Sequence, residues 1–383
     1  MHGHRHARIS GARGSAAAIA LLALLALLAA ALPAPATGAA SAAGQSILTL
    51  RSVGQADEVW RMTADGTATK AGQLPGLAGQ SAASPDGSMV AYTPERGADV
   101  WVWQGTDQVK AISLKPAGVT AVYGVTWIAA GKVLVSGSKG KGMYDVYSAR
   151  LYTVDVTSGE VQAFRKLPGT QPSADIASGK VVYVRFRKLD GGNAANDHTP
   201  LVRESLMRLD LDTSAAPEAL SSQTYRDFYE TGEFVSPRIA PGGDWCISGR
   251  VGDDPELTYQ VWDTSLPWFA LFQEGVYAAA WAPGGLKVAF CGSMDSSIEG
   301  QPDTCVFVLE PNAGTLVRSA VVIPGVPEAN VWLNSVTWSA DGRLALDGLT
   351  AGADASVEEV YLLGSDLKTV TDVGAGHLSA WVK

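Results

Sequence analysis

From residue 45 onward the apolar positions fall into short runs, some alternating and some continuous, and each run ends in a cluster of turn residues. The stretch SAASPDGSMVAYTPERGADVWVW (81–103) shows the unit. An apolar run breaks at Ser84-Pro85-Asp86-Gly87, resumes as Met89-Val90-Ala91-Tyr92, breaks again and returns as Val100-Trp101-Val102-Trp103. Pro fixes φ, Asp can bond its own backbone and Gly accepts positive φ, so the breaks are turn chemistry. The pattern predicts β-strands joined by tight turns, and no long charged amphipathic helix follows residue 45. The expected class is all-β.

The unit recurs. GVTWIAAGKVLVSG (124–137), SADIASGKVVYV (173–184), SPRIAPGGDWCISG (236–249), AAAWAPGGLKVAFCG (278–292) and SVTWSADGRLALDG (335–348) each set a Gly-containing turn between two strands. Trp127, Trp281 and Trp338 share one register, which Ile176 and Ile239 occupy in two other copies. A third strand follows each pair: DVWVW at 99, RLYTVD at 150, SLMRLD at 205, YQVWD at 259, CVFVLE at 305 and EVYLL at 359. A seventh copy, EVWRM at 58, has no such turn unit before it, but Ser379-Ala380-Trp381 at the other end of the chain matches the missing strand. A self-similar period of roughly 40–50 residues is the signature of propeller blades. The prediction is a seven-bladed β-propeller of four-stranded antiparallel blades. Its C-terminal strand pairs with the N-terminal blade, which satisfies two otherwise open strand edges. Uneven spacing of the register residues places longer loops near 189–200, 221–234 and 319–332.

Four features carry a family resemblance. Ser84-Pro85-Asp86-Gly87 precedes Val90-Ala91-Tyr92, and Ala282-Pro283-Gly284-Gly285 precedes Val288-Ala289-Phe290; Ser339-Ala340-Asp341-Gly342 and the strand Leu151-Tyr152-Thr153-Val154-Asp155 belong to the same pattern. Together they resemble the TolB-like, PD40 class of WD40-type β-propellers over essentially all of residues 44–383. The resemblance implies an exported protein-binding scaffold. The chain departs from WD40 repeats proper, because Gly376-His377 and Trp262-Asp263 stand alone among the blades, and no room is left for the helical domain that precedes the propeller in TolB itself.

The first residues change the picture of location. MHGHRHARISGARG carries Arg5, Arg8 and Arg13 with no acid, residues 15–32 are almost wholly Ala, Leu and Ile, and small residues follow, with Ala34-Pro35-Ala36 a candidate cleavage site. This is the order of a secretory signal peptide. Residues 1–43 are therefore read as leader and 44–383 as propeller, secreted or held in the cell envelope. An uncleaved anchor is the alternative, since the apolar run approaches the ~20 residues that a bilayer needs. Losing three Arg and no acid moves the formal charge from −9 to −12. An acidic chain of this kind has no electrostatic reason to bind nucleic acid or anionic lipid, and no membrane insertion is expected after cleavage. A monomer is expected. Composition agrees with packed strands and many turns, with 46% hydrophobic and 17% charged residues, 42 Gly and 11 Trp.

In an oxidising compartment Cys291 and Cys305 are the expected disulfide, with Cys246 the odd, buried thiol. Other candidate chemistry is sparse. Gly137 to Gly142 resembles a phosphate cradle but leads into a strand, where a P-loop needs a helix, so it reads as a hairpin turn. The pair Ser136 and Lys139 likewise needs a helix to share a face. His2, His4 and His6 lie in the leader, which leaves His198 and His377; His377 is expected to bond neighbouring backbone. Near His198, Asp190, Asn193, Asn196 and Asp197 could supply oxygens to Ca²⁺ without EF-hand spacing. No other cofactor is expected, and no metal or catalytic residue is assigned. Asp155, Asp210, Asp212 and Glu310 end third strands and read as hairpin caps. The candidate binding residues are Tyr225, Arg226, Asp227, Phe228 and Tyr229, where aromatics alternate with Arg on a loop; packing onto the neighbouring blades is the competing reading. The expected function is a non-enzymatic scaffold that binds a protein or cell-envelope ligand through loops on one face. The alternative is an extracellular propeller-fold hydrolase or lyase acting on glycan or peptide.

Overall fold

A computed structural model describes residues 45–140, 145–189, 201–225, 235–251, 257–264, 269–272, 276–293, 304–321, 331–351 and 356–383 except 365 and 368. They form seven four-stranded antiparallel sheets. Blade 1 is composite. Its innermost strand is His377–Val382, followed outward by Ser46–Val53, Ala56–Met62 and Ala68–Gln73. The closing strand lies antiparallel to Ser46–Val53, with Ser46 opposite Val382 and Leu50 opposite His377. In blades 2 to 7 the innermost strands are Ala78–Ala83, Ala121–Ala129, Thr170–Asp175, Val235–Ile239, Val276–Trp281 and Val331–Trp338, and the chain steps outward through each sheet. The seven blades and the ring closure match the sequence pattern.

Burial explains the pattern of each strand. The second strands Val90–Pro94 and Lys132–Ser138 are buried almost throughout, whereas the outer strands Ala68–Gln73 and Val161–Pro168 are mostly open to solvent. A middle strand has a neighbouring blade on both faces, so both sets of its alternating side chains must be apolar or satisfied. The core is accordingly divided into seven clusters, one at each junction between blades. At the junction of blades 2 and 3, Ala91, Val100 and Val102 cluster with Val125, Trp127 and Val135. At the closing junction, Ala345, Val360 and Leu362 of blade 7 cluster with Ile47, Met62 and Leu378 of blade 1.

Every blade also carries a register shift between its innermost and second strands, for example at Leu48/Thr49, Ala78/Ser81 and Leu333/Ser335. A bulge bends a strand and increases its twist, which suits strands that crowd around one axis.

Antiparallel order gives the ring two unlike rims. Turns from first to second and from third to fourth strand share one rim; second-to-third connections and the steps to the next blade share the other. The first rim has short turns, the longest lying between Asp210 and Glu218. Its chemistry is visible at Ser84, whose N–H donates to Met89 carbonyl at 2.8 Å while Gly87 N–H donates to Ser84 carbonyl at 2.9 Å. Gly87 has φ 68°, and the Asp86 carboxylate accepts from Ser84 and Ser88. Blade 7 repeats the turn, with Ser339 N–H to Arg343 carbonyl at 2.8 Å and Gly342 at φ 86°. The second rim holds the long connections, between Ser138 and Arg150, Lys188 and Val202, Tyr225 and Val235, Ser293 and Thr304, and Ala320 and Val331. Ser46 and Val382 pair at the short-turn rim, where Lys383 N–H donates to Gly87 carbonyl at 3.1 Å.

One expectation is corrected. Cys246, Cys291 and Cys305 are buried, and none is in a disulfide. Cys291 stands opposite Val306 and Cys305 opposite Gly292, so adjacent pairing positions send the two side chains to opposite faces of blade 6. Cys291 joins the cluster shared with blade 7, and Cys305 the cluster shared with blade 5. The sheet itself separates them, and no bridge forms. Burial pushes the thiols of Cys246 and Cys291 above the ordinary range, which keeps them in the unreactive protonated form.

Candidate functional site

The innermost strands enclose a cavity of about 590 Å³, lined by residues of blades 1, 2, 5, 6 and 7. Gln80, Ser236, Arg238, Asn334, Thr337 and His377 make its wall largely polar. Adjacent blades are tied together by a repeated bond. Trp127 Nε1 donates to Ala82 carbonyl at 2.8 Å, Trp281 Nε1 to Arg238 carbonyl at 3.0 Å, and Trp338 Nε1 to Ala280 carbonyl at 3.0 Å. The shared Trp register in the sequence is thus an inter-blade fastening. Trp381 occupies the same register in the closing strand, but its buried indole N–H has no hydrogen-bond partner.

At the end of the channel on the long-connection rim, three ionisable side chains converge from three strands. His377 Nδ1 lies 2.5 Å from Asp347 Oδ2 and 3.1 Å from Glu358 Oε1. Asp347 belongs to the second strand of blade 7 (Leu344–Ala351), Glu358 to the third (Ser356–Leu363), and His377 opens the closing strand. Asp347 is wholly buried; Ser335 Oγ donates to its Oδ1 at 2.7 Å, and Leu378 N–H donates to its Oδ2 at 2.7 Å. The hydrogen bonds to Asp347 and then Glu358 hold the imidazolium and raise its pKa to about 10, against the opposing effect of burial. With 45% of its side chain exposed, His377 stays in contact with solvent. Gly376, just before it, sits at φ 137°, and a Cβ there would meet Thr49 Oγ1 at 3.0 Å and Leu50 carbonyl at 3.2 Å. Only glycine lets the chain step inward at this point without strain.

No protein-family model matches the chain, and no curated protein matches it. Solved structures do. An oligogalacturonate lyase in complex with manganese is 16% identical, with 86% of this chain and 85% of that chain covered and a TM-score of 0.54. A prolyl endopeptidase is 17% identical with a TM-score of 0.51, over 79% of this chain and 43% of that one, so the chain spans less than half of it. TolB from Acinetobacter baumannii is 13% identical, with 88% and 81% covered and a TM-score of 0.44. In fold, the chain is a seven-bladed β-propeller. At these identities the likeness is one of fold alone.

Among the sequence-predicted residues of the propeller, Tyr225 ends the outer strand of blade 4 (Glu218–Tyr225), at the long-connection rim, and Arg226, Asp227, Phe228 and Tyr229 lie outside the described residues. So do Asp190, Asn193, Asn196, Asp197 and His198. Ser136 is buried and its Oγ accepts from Gln171 N–H at 3.3 Å, a packing role. Asp155 caps its turn, accepting from the N–H groups of Thr157 at 3.0 Å and Ser158 at 2.8 Å. Glu310 pairs with Lys287 at 2.6 Å. His377 departs from expectation, because its ring bonds two carboxylates rather than neighbouring backbone. Asp347 and Glu358 escaped the sequence reading, although a carboxylate inside the apolar run Leu344-Ala345-Leu346-Asp347 was a usable signal. Among the described residues, no helix is long and apolar enough to cross a membrane.

Proposed function

We propose that the chain is an exported, non-enzymatic propeller scaffold that binds a protein or other cell-envelope ligand through its long-connection rim. The observation that carries this reading is the asymmetry of the two rims. Hydroxyl, carboxylate and glycine chemistry fixes the short turns of one rim, whereas the strand ends joined by the long connections lie on the other. Binding residues collect on loops held by a rigid scaffold, and the Tyr225 to Tyr229 segment begins on this rim. Export rests on the leader pattern of residues 1–43.

The test is capture from a cell-envelope extract by the immobilised chain. The triple change Tyr225→Ala, Phe228→Ala and Tyr229→Ala is expected to abolish capture without altering the unfolding temperature, while Asp86→Ala on the opposite rim leaves capture intact. Capture that survives the triple change, or no capture by a folded chain, overturns the reading. The alternative activity, hydrolysis or lyase chemistry on glycan or peptide, draws support from the cluster of His377, Asp347 and Glu358 at the channel mouth. Turnover of such a substrate, lost in His377→Gln, would replace the scaffold reading.

A further inference from the structure

The second strands of blades 3, 5, 6 and 7 share a position immediately before a glycine: Ser136-Gly137, Ser248-Gly249, Cys291-Gly292 and Asp347-Gly348. The first residue of each pair is fully buried. In blade 3 that position needs only a hydroxyl, since Ser136 Oγ accepts one N–H from the innermost strand of the next blade. Asp347 accepts the corresponding N–H, from Leu378, and adds a full buried charge. Accepting that N–H alone does not require the charge, as Ser136 shows, and does not account for Glu358, which brings a second carboxylate to the same imidazole.

We propose that Asp347, Glu358 and His377 form a divalent transition-metal site at the channel mouth. One donor atom from each residue lies within 4.8 Å of the other two. Two carboxylate oxygens and one imidazole nitrogen suit borderline ions such as Zn²⁺ or Mn²⁺ better than an all-oxygen Ca²⁺ cage. Binding replaces the proton on His377 Nδ1 with the cation, releases that proton to solvent, and offsets the two negative charges. Exposure of His377 and Glu358 at the rim gives the ion an entry path and leaves room for water or a ligand oxygen as further donors. Because His377 belongs to the closing strand and the two carboxylates to blade 7, the ion would also fasten the ring.

The experiment is equilibrium dialysis of the metal-stripped full chain against Zn²⁺ and Mn²⁺, with thermal unfolding measured alongside. One ion per propeller is expected, with a higher unfolding temperature in its presence. Glu358→Gln and His377→Gln should each weaken binding at least about tenfold, by analogy with the sensitivity of metal sites to their supporting groups. Both side chains are partly exposed, so these variants are expected to fold where Asp347→Asn could fail. The leader also carries histidines, so a chain with His2→Ala, His4→Ala and His6→Ala is run in parallel and should keep the site. Binding unchanged by His377→Gln and Glu358→Gln, or lost in the leader variant alone, overturns the proposal.

Discussion

Blades 2 and 3 are fastened by the Trp127 indole on the Ala82 carbonyl; at the junction of blade 7 with blade 1, the blade that pairs strands from opposite ends of the chain, the equivalent indole of Trp381 is left without an acceptor. Both junctions have apolar clusters of the same kind. The difference is electrostatic. Closure uses a buried carboxylate that accepts from the closing strand's first residues, His377 and Leu378, and a glycine at φ 137° that aims them. The comparison teaches that the repeat supplies the packing at every junction, while the junction with a free end carries an additional polar lock.

Removing residues 377–383 should break this comparison most completely. Leu378 and Val382 leave the core and the edge of Ser46–Val53 opens, at a cost of roughly 3–6 kcal/mol for two buried aliphatic side chains. Loss of the cooperative transition in denaturant titration is the expected outcome, whereas a transition of unchanged midpoint would mean that the ring does not depend on its closure. Gly376→Ala should cost about 1–3 kcal/mol from backbone strain and crowding against Thr49, read as a lower midpoint with unchanged slope. The sharpest contrast is between two matched substitutions. Trp127→Phe should cost about 1 kcal/mol more than Trp381→Phe, because only the first removes an indole hydrogen bond. Equal costs would show that the fastening contributes nothing beyond packing.

The smallest effect is set by pH on the short-turn rim. Hydrogen bonds from the Ser84 hydroxyl, then from Ser88, hold the Asp86 carboxyl at about 2, below its ordinary 3.8. A lowered carboxyl stabilises the fold above the unfolded value, so this contribution is whole above about pH 4 and disappears as pH falls through 2. Denaturant midpoints between pH 4 and 2 should therefore fall more steeply for the native chain than for Asp86→Ala. The turn is exposed, which keeps the difference small.

The ring was legible in the sequence because one turn chemistry and one register residue recur at a regular period, and because Ser379-Ala380-Trp381 carries the same local pattern as strands elsewhere. The candidate site was less so. His377 meets Asp347 and Glu358 only after the closing strand docks against blade 7, a contact that neither residue's own blade reveals. The Cys291 and Cys305 pairing failed for a related reason: sequence separation says nothing of side-chain alternation, and an offset of one pairing position puts two neighbours on opposite faces of a sheet. Asp347, by contrast, stood out within its own strand, as a charge where Ser136 and Ser248 need only a hydroxyl.

The pairing of Ser46 with Val382 has a practical corollary for orientation. Anything joined directly beyond Lys383, whether a resin bead or a fluorescent partner, is held on the Ser-Pro-Asp-Gly side of the propeller. A tether at Lys383 therefore displays the opposite mouth, with His377 at its lip, toward open solvent.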